Sequence, residues 1–205
     1  MRWALAVVIA TIVVFMWGFI FWGVSGLPEM GVSKVEDPSS AGIALVEHFP
    51  ENGIYFVPGY SPNIAGDEEE EKIDAAAQAE RIKEFGTLHH AGPLAIVNMG
   101  SITGGPVMDP GIMYSGFCHI MLSCIFLALL LGLCGSALPT RWRRVRFFIF
   151  VGFLCAFYCN IGEAVWWRYP WNWQLLTALY DWVAISLGGI AITMIAPVWG
   201  QKDIV

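Results

Sequence analysis

The sequence begins with an apolar run that limits what the rest of the chain can fold into. The segment from Trp3 to Val24 contains no charged side chain over 22 positions. A helix of that length reaches roughly 30 Å, at about 1.5 Å per residue, which matches the hydrocarbon core of a bilayer. We therefore predict that residues 1–25 form a transmembrane helix that is retained as a signal anchor.

A cleaved signal peptide is the alternative interpretation of this run. Val24, Ser25 and Gly26 are small enough to precede a cleavage point. The run is nevertheless longer than the apolar core of about 7 to 15 residues that signal peptides carry. It also contains Trp17 and Trp22. These features favour an anchor that stays in the protein.

Three further apolar runs cover about residues 113–138, 147–166 and 173–198, and each is long enough to cross a bilayer. With 57% apolar and 14% charged residues, the composition excludes an ordinary soluble enzyme. The sequence has no basic stripe beyond one short loop, so nucleic acid is not an expected partner. The predicted fold class is a mainly α membrane protein with four transmembrane helices, for which the lipid bilayer is the first partner.

The predicted orientation depends on one segment, residues 139–146. It contains four arginines: Arg141, Arg143, Arg144 and Arg146. Because short arginine-rich loops stay in the cytoplasm, we predict a cytoplasmic loop here, within a three-helix transmembrane bundle that covers residues 113–198. Both termini, including a tail at 199–205, then face the cytoplasm of a bacterial inner membrane. Residues 26–112 lie on the external, periplasmic side.

Residues 26–112 are the acidic part of the chain. They hold 14 of the 17 acidic residues but four of the 11 basic residues, so their net charge is −10 and that of the remainder is +4. Asp37 followed by Pro38 is typical of a helix start, and we expect this helix to end near Phe49. We expect its buried face to consist of Ile43, Leu45, Val46 and Phe49.

The rest of this segment alternates strand and helix signals. Residues 53–57 and 93–99 have strand composition, and residues 67–85 predict a charged helix that ends at Gly86. The result is a small external α/β domain between the first two transmembrane helices. Since two strands rarely form a stable domain alone, we expect the domain to lean on the membrane bundle, on a partner protein or on a second copy.

Ionisable side chains inside the apolar runs are costly and therefore mark candidate sites. His119, Glu163 and Asp181 fall at similar predicted depths in the second, third and fourth runs, with Asn160 and Arg168 nearby. One interpretation is a polar pocket that handles a proton, a cation or a small polar ligand. The other is a packing cluster in which His119 pairs with a carboxylate and Arg168 reaches Glu163 or Asp181.

Neither a metal nor a cofactor is predicted. The Glu-x-x-His pattern of dinuclear sites is missing, and one intramembrane histidine does not supply two haem ligands. The acidic run from Asp67 to Glu71 points around its helix, and His89 and His90 point apart. The five cysteines all lie in the apolar runs without a Cys-x-x-Cys spacing, and no catalytic motif of soluble enzymes is present.

Several short motifs resemble those of an uncharacterised group of bacterial multi-pass membrane proteins, over about the first 135 residues. The motifs are Trp17-Gly18, Leu27-Pro28, residues 51–59 (ENGIYFVPG), residues 92–97 (GPLAIV) and Met108-Asp109-Pro110. The resemblance implies a tryptophan-containing first span followed by a short external helix-and-strand domain, and it implies no activity. The acidic residues 67–71 depart from the group's pattern.

These features lead to a functional expectation. The absence of catalytic motifs and the small dependent domain favour a non-catalytic inner-membrane protein, an accessory or scaffold subunit that contacts another envelope protein. The alternative is a small transporter or a proton-linked membrane enzyme that uses His119, Glu163 and Asp181. A third possibility is an envelope sensor with a binding cleft beside the external domain.

Overall fold

The computed structural model of the chain describes residues 1–59 and 75–197. The chain divides into two compact units. One consists of Met1–Lys34 together with the chain from Met108 onward, and the other consists of Val35–Val107. The second unit is narrower than the predicted insert at 26–112. The turn at Leu27–Met30 belongs to the first unit, where the Asn172 side-chain amide donates to the Met30 carbonyl at 3.3 Å.

Within the described residues, four helices of the first unit are long and apolar enough to cross a membrane. They are Arg2–Val24, Pro110–Cys134, Arg141–Trp166 and Trp171–Ile195. We call them the first to fourth long helices. The prediction of four span-length helices is confirmed. The first and third each include a π-helical turn, at Ile20–Val24 and Phe157–Ile161.

The fourth long helix is central to this unit. It packs most extensively against the third and the first, whereas the second packs mainly against the first. Small residues permit the close approach of the third and fourth helices. A Cβ added at Gly152 would lie 2.8 Å from the Trp182 carbonyl oxygen, and one at Gly189 would overlap the Phe148 ring. The backbones therefore meet where the sequence has no side chain.

Local capping determines where two long helices begin. Asp109 accepts a hydrogen bond from the Gly111 N–H at 2.7 Å, so it caps the start of the second helix, and Pro110 takes the first helical position. Thr140 caps the third helix by accepting from the Arg143 N–H at 3.3 Å. The prediction of a loop through residues 139–146 is therefore wrong from Arg141 onward. Arginine is a good helix former, and Thr140 provides the cap.

The four arginines thus lie in the first turns of the third long helix. The second and fourth helices end on this side of the bundle, where the Arg144 side chain donates to the Leu138 and Pro197 carbonyls. The first helix begins on the same side, because Trp17, near its other end, bonds to Tyr180 in the first half of the fourth helix. We call this side the arginine end and the other side the opposite end.

The second unit contains two helices and two strands in its described part. The helices are Pro38–His48 and Ala75–Ala91, and the strands are Gly53–Val57 and Ala95–Met99. The strands pair antiparallel with Tyr55 opposite Val97. These elements confirm the predicted helix after Asp37 and both predicted strands.

The charged helix of this unit differs from its prediction. It continues past Gly86 to Ala91, so the predicted end at Gly86 is wrong. A single glycine costs a helix about 1 kcal/mol relative to alanine, which the neighbouring turns offset. The acidic run from Asp67 to Glu71 lies outside the described residues.

The second unit has no buried core among the side chains that the structure describes. Ile43, Leu45 and Val46 were expected inside, but they are 68%, 39% and 42% exposed. Phe49 is half-buried, and its ring lies 4.9 Å from that of Tyr55. The Pro38–His48 helix therefore forms from its cap and composition, while its apolar side chains remain uncovered within the unit.

Candidate functional site

Two polar pairs join the third and fourth long helices in the half of the bundle nearer to the opposite end. Asn160 lies in the π-helical turn Phe157–Ile161 and is 8% exposed. Its side-chain amide donates to an Asp181 carboxylate oxygen at 2.9 Å and to the Ala156 carbonyl at 3.3 Å. Single π turns inside α-helices often occur at functional sites. Here the turn presents an amide to a carboxylate of the neighbouring helix.

The second pair lies about one helical turn further along the third helix. Gln174, which is 1% exposed, donates through its amide nitrogen to a Glu163 carboxylate oxygen at 2.8 Å. The Gln174 amide oxygen in turn accepts from the Thr177 hydroxyl at 3.1 Å. Glu163 itself is exposed. Its carboxylate is thus held by a buried amide and remains accessible from outside the bundle.

His119 is not part of either pair. Its side chain is exposed on the second long helix, and within the described chain it forms no hydrogen bond with Asn160, Glu163 or Asp181. The second helix packs mainly on the first, which leaves much of its surface without a neighbour. The structure therefore does not bring the histidine to the two carboxylates.

Arg168 lies in the turn between the third and fourth long helices. It is exposed, with a backbone φ of 57°, in the left-handed region that non-glycine residues rarely adopt. Within the described residues, its guanidinium forms no ion pair with Glu163 or Asp181. Both carboxylates have neutral amides as partners in place of a cation.

Sequence reasoning named Asn160 but missed Gln174, because it looked first for ionisable groups. A glutamine inside an apolar run is itself a signal, since a buried amide must find a hydrogen-bond partner. It also missed an aromatic cluster beside Asp181. The Trp17 indole donates to the Tyr180 carbonyl at 3.2 Å, and the rings of Phe21 and Trp22 lie 5.2 and 5.4 Å from the Tyr180 ring.

Arg144 is the other residue that sequence reasoning did not single out from its neighbours. It is fully buried at the arginine end. Its Nε donates to the Leu138 carbonyl at 2.9 Å and its Nη1 to the Pro197 carbonyl at 3.3 Å, while its Nη2 has no hydrogen-bond partner among the described residues. The side chain therefore links the chain segments that follow the second and fourth long helices.

The donor chemistry of the described residues does not suit a metal centre, since no three His, Cys, Asp or Glu side chains among them converge. Each carboxylate instead accepts a hydrogen bond from one amide. This arrangement can hold two helices in register, and it can keep a single carboxylate in place to exchange a proton. The chain matches no protein-family model, no curated protein and no solved structure.

Proposed function

We propose that this protein is a non-catalytic accessory or scaffold subunit of a bacterial inner membrane. In this proposal the four long helices cross the bilayer, the arginine end and both termini face the cytoplasm, and the Val35–Val107 unit contacts another envelope protein on the periplasmic side. The observation that carries the proposal is the lack of any described buried side chain in that unit.

The surface available for such a contact is a groove in the Val35–Val107 unit. It has a volume of about 960 Å³ and lies between the Pro38–His48 helix and the segment from Asn98 to Gly104. Ile43, Val46 and Met99 are among its apolar lining residues. Exposed apolar grooves of this kind are typical of protein interaction sites. A partner that fills the groove would bury the apolar side chains that the described part of the unit leaves exposed.

The polar pairs of the bundle support a structural role over a catalytic one. Asn160 and Gln174 each use their amide to hold a carboxylate of the neighbouring helix. Hydrogen bonds between membrane helices stabilise by about 0.6 kcal/mol on average. Such bonds therefore align the third and fourth helices.

Photocrosslinking of the full chain in its native membrane tests the proposal. A photoreactive amino acid at Ile43, inside the groove, is expected to give one adduct with another envelope protein. The matched control is Ile82, which is 47% exposed on the other helix of the same unit and does not line the groove. Adducts of equal yield at both positions, or none at Ile43, would refute a partner in the groove.

The π turn supports a second candidate function, a proton-linked transporter or enzyme. In this alternative Asp181 exchanges a proton while Asn160 holds its carboxylate, and Glu163 provides the accessible group near the opposite end. Asp181→Asn and Glu163→Gln keep the shape of each side chain and remove its charge. Solute or proton flux in vesicles should then fall at least tenfold, and unchanged flux at normal protein levels excludes the alternative.

A further inference from the structure

The first two turns of the third long helix carry an unusual concentration of positive charge. Arg141, Arg143 and Arg146 are exposed there, next to the buried Arg144. A helix N-terminus already carries about half a positive charge from its macrodipole, and it favours anions. Four guanidiniums at this position therefore repel both one another and the helix start, unless an anion binds beside them.

The protein does not provide that anion in its described part. Among residues 1–59 and 75–197, no carboxylate lies within 4.0 Å of any of the four guanidiniums. The described acidic residues of the first unit are all in the half of the bundle nearer to the opposite end: Glu29, Asp109, Glu163 and Asp181. The charge at the arginine end is thus uncompensated by the described chain.

Three of the exposed groups share one side of the helix. At about 100° per residue, Trp142, Arg143 and Arg146 fall within about 100° of one another, whereas Arg141, at the first position of the helix, lies on the other side with Arg144. Trp142 is 64% exposed, and the Arg146 guanidinium lies 5.8 Å from its ring centroid. An exposed tryptophan with arginines at the end of an apolar helix matches the composition that proteins use at the membrane–water interface.

From this arrangement we propose that Arg143 and Arg146 bind the phosphate of an anionic phospholipid headgroup, while Arg141 adds to the positive charge that attracts it. Guanidinium groups bind phosphate oxygens through paired hydrogen bonds. Basic clusters next to membrane helices attract anionic lipids, by about fivefold in affinity for each arginine near the surface. The proposal depends on the membrane location proposed above, and it assigns the arginine end a ligand that neither the topology nor the scaffold role requires.

Arg144 makes a different contribution. Its guanidinium is enclosed and bonded to the Leu138 and Pro197 carbonyls, so it holds the helix start in place and does not reach a headgroup. For that reason the variants that test lipid binding leave Arg144 unchanged. The three exposed arginines can be replaced without disturbing a buried contact.

Native mass spectrometry of the full-length protein in mild detergent tests the proposal with three probes. These are phosphatidylglycerol, phosphatidylcholine with the same acyl chains, and inorganic phosphate. We expect the protein to retain phosphatidylglycerol over phosphatidylcholine and to lose it at high salt, because a Debye length of about 3 Å at 1 M screens the attraction. The variant R141Q/R143Q/R146Q should bind phosphatidylglycerol about 100-fold more weakly.

The matched control is K34Q/R81Q/K83Q, which removes the same net charge from residues that do not belong to the cluster and should bind as the parent does. Equal retention of both lipids, or equal losses in the two triple variants, overturns the proposal. If the protein binds inorganic phosphate but shows no preference for phosphatidylglycerol, the ligand is free phosphate, and the lipid assignment is overturned. Carbonate extraction of the membrane fraction separately tests the proposed location, so the two failures are distinguishable.

Discussion

Gly189 provides the sharpest test of how the third and fourth long helices approach one another. A Cβ at this position would lie 2.5 Å from both Cβ and Cδ1 of Phe148, closer than real Cβ contacts come. Phe148 is fully buried, so its ring has no free space to enter. Gly189→Ala must therefore push the helices apart or displace the ring.

The expected cost follows from two opposing effects. Overpacking a core by one methyl group costs about 1 to 3 kcal/mol, and so direct an overlap belongs at the upper end. Alanine in place of glycine contributes about 1 kcal/mol in favour of the helix. We therefore expect Gly189→Ala to lower the free energy of unfolding by about 2 kcal/mol. Circular dichroism during titration with sodium dodecyl sulfate in mixed micelles measures this change.

Two other glycines of the long helices serve as controls. At Gly132 an added Cβ meets nothing within 4 Å, and at Gly188 it meets Leu127 Cδ1 at 3.1 Å. We expect the detergent fraction at the unfolding midpoint to be highest for Gly132→Ala, intermediate for Gly188→Ala and lowest for Gly189→Ala. If Gly189→Ala is as stable as Gly132→Ala, the close approach at Phe148 is not a feature of the folded protein.

Three further outcomes follow from individual hydrogen bonds. A double-mutant cycle of Asn160→Ala with Asp181→Ala in the same unfolding assay should give a coupling of about 1 kcal/mol, and additive effects would contradict the pair. Arg144→Met should speed amide hydrogen exchange in the last turn of the fourth long helix, measured by mass spectrometry, and leave the opposite end unchanged. The Ser40 hydroxyl and nearby backbone N–H groups lower the pKa of Asp37. The Pro38–His48 helix should therefore lose stability as pH falls from about 3.9 through that lowered value, as followed by amide exchange, whereas Asp37→Asn should remove this pH dependence.

The sequence predicts the long helices well because their signals are local. A long apolar run with few charged residues identifies each span-length helix. Asp109 followed by Pro110 marks the start of the second one. The same logic explains the error at residues 139–146. Charge indicated a loop, but Thr140 is a helix cap, and arginines fit the first turn of a helix as well as they fit a loop.

The candidate site is harder to predict, because depth along a helix follows from sequence and rotation about its axis does not. His119, Glu163 and Asp181 have similar predicted depths, but a shared site also requires that the three helices face one another. The second long helix is apolar on nearly all sides, so its composition does not indicate which side packs inward. Its placement against the first helix turns His119 outward.

The Val35–Val107 unit shows the same distinction between local and long-range determinants. Asp37 accepts hydrogen bonds from the N–H groups of Ser39 and Ser40, so its helix forms where the sequence predicts it. The burial of Ile43 and Val46 would instead require a surface that the described residues of this unit do not supply. Two strands bury too little apolar area to stabilise such a unit alone. Its exposed apolar residues fit the interface proposed above, so the groove at Ile43 is the position at which to test for a partner first.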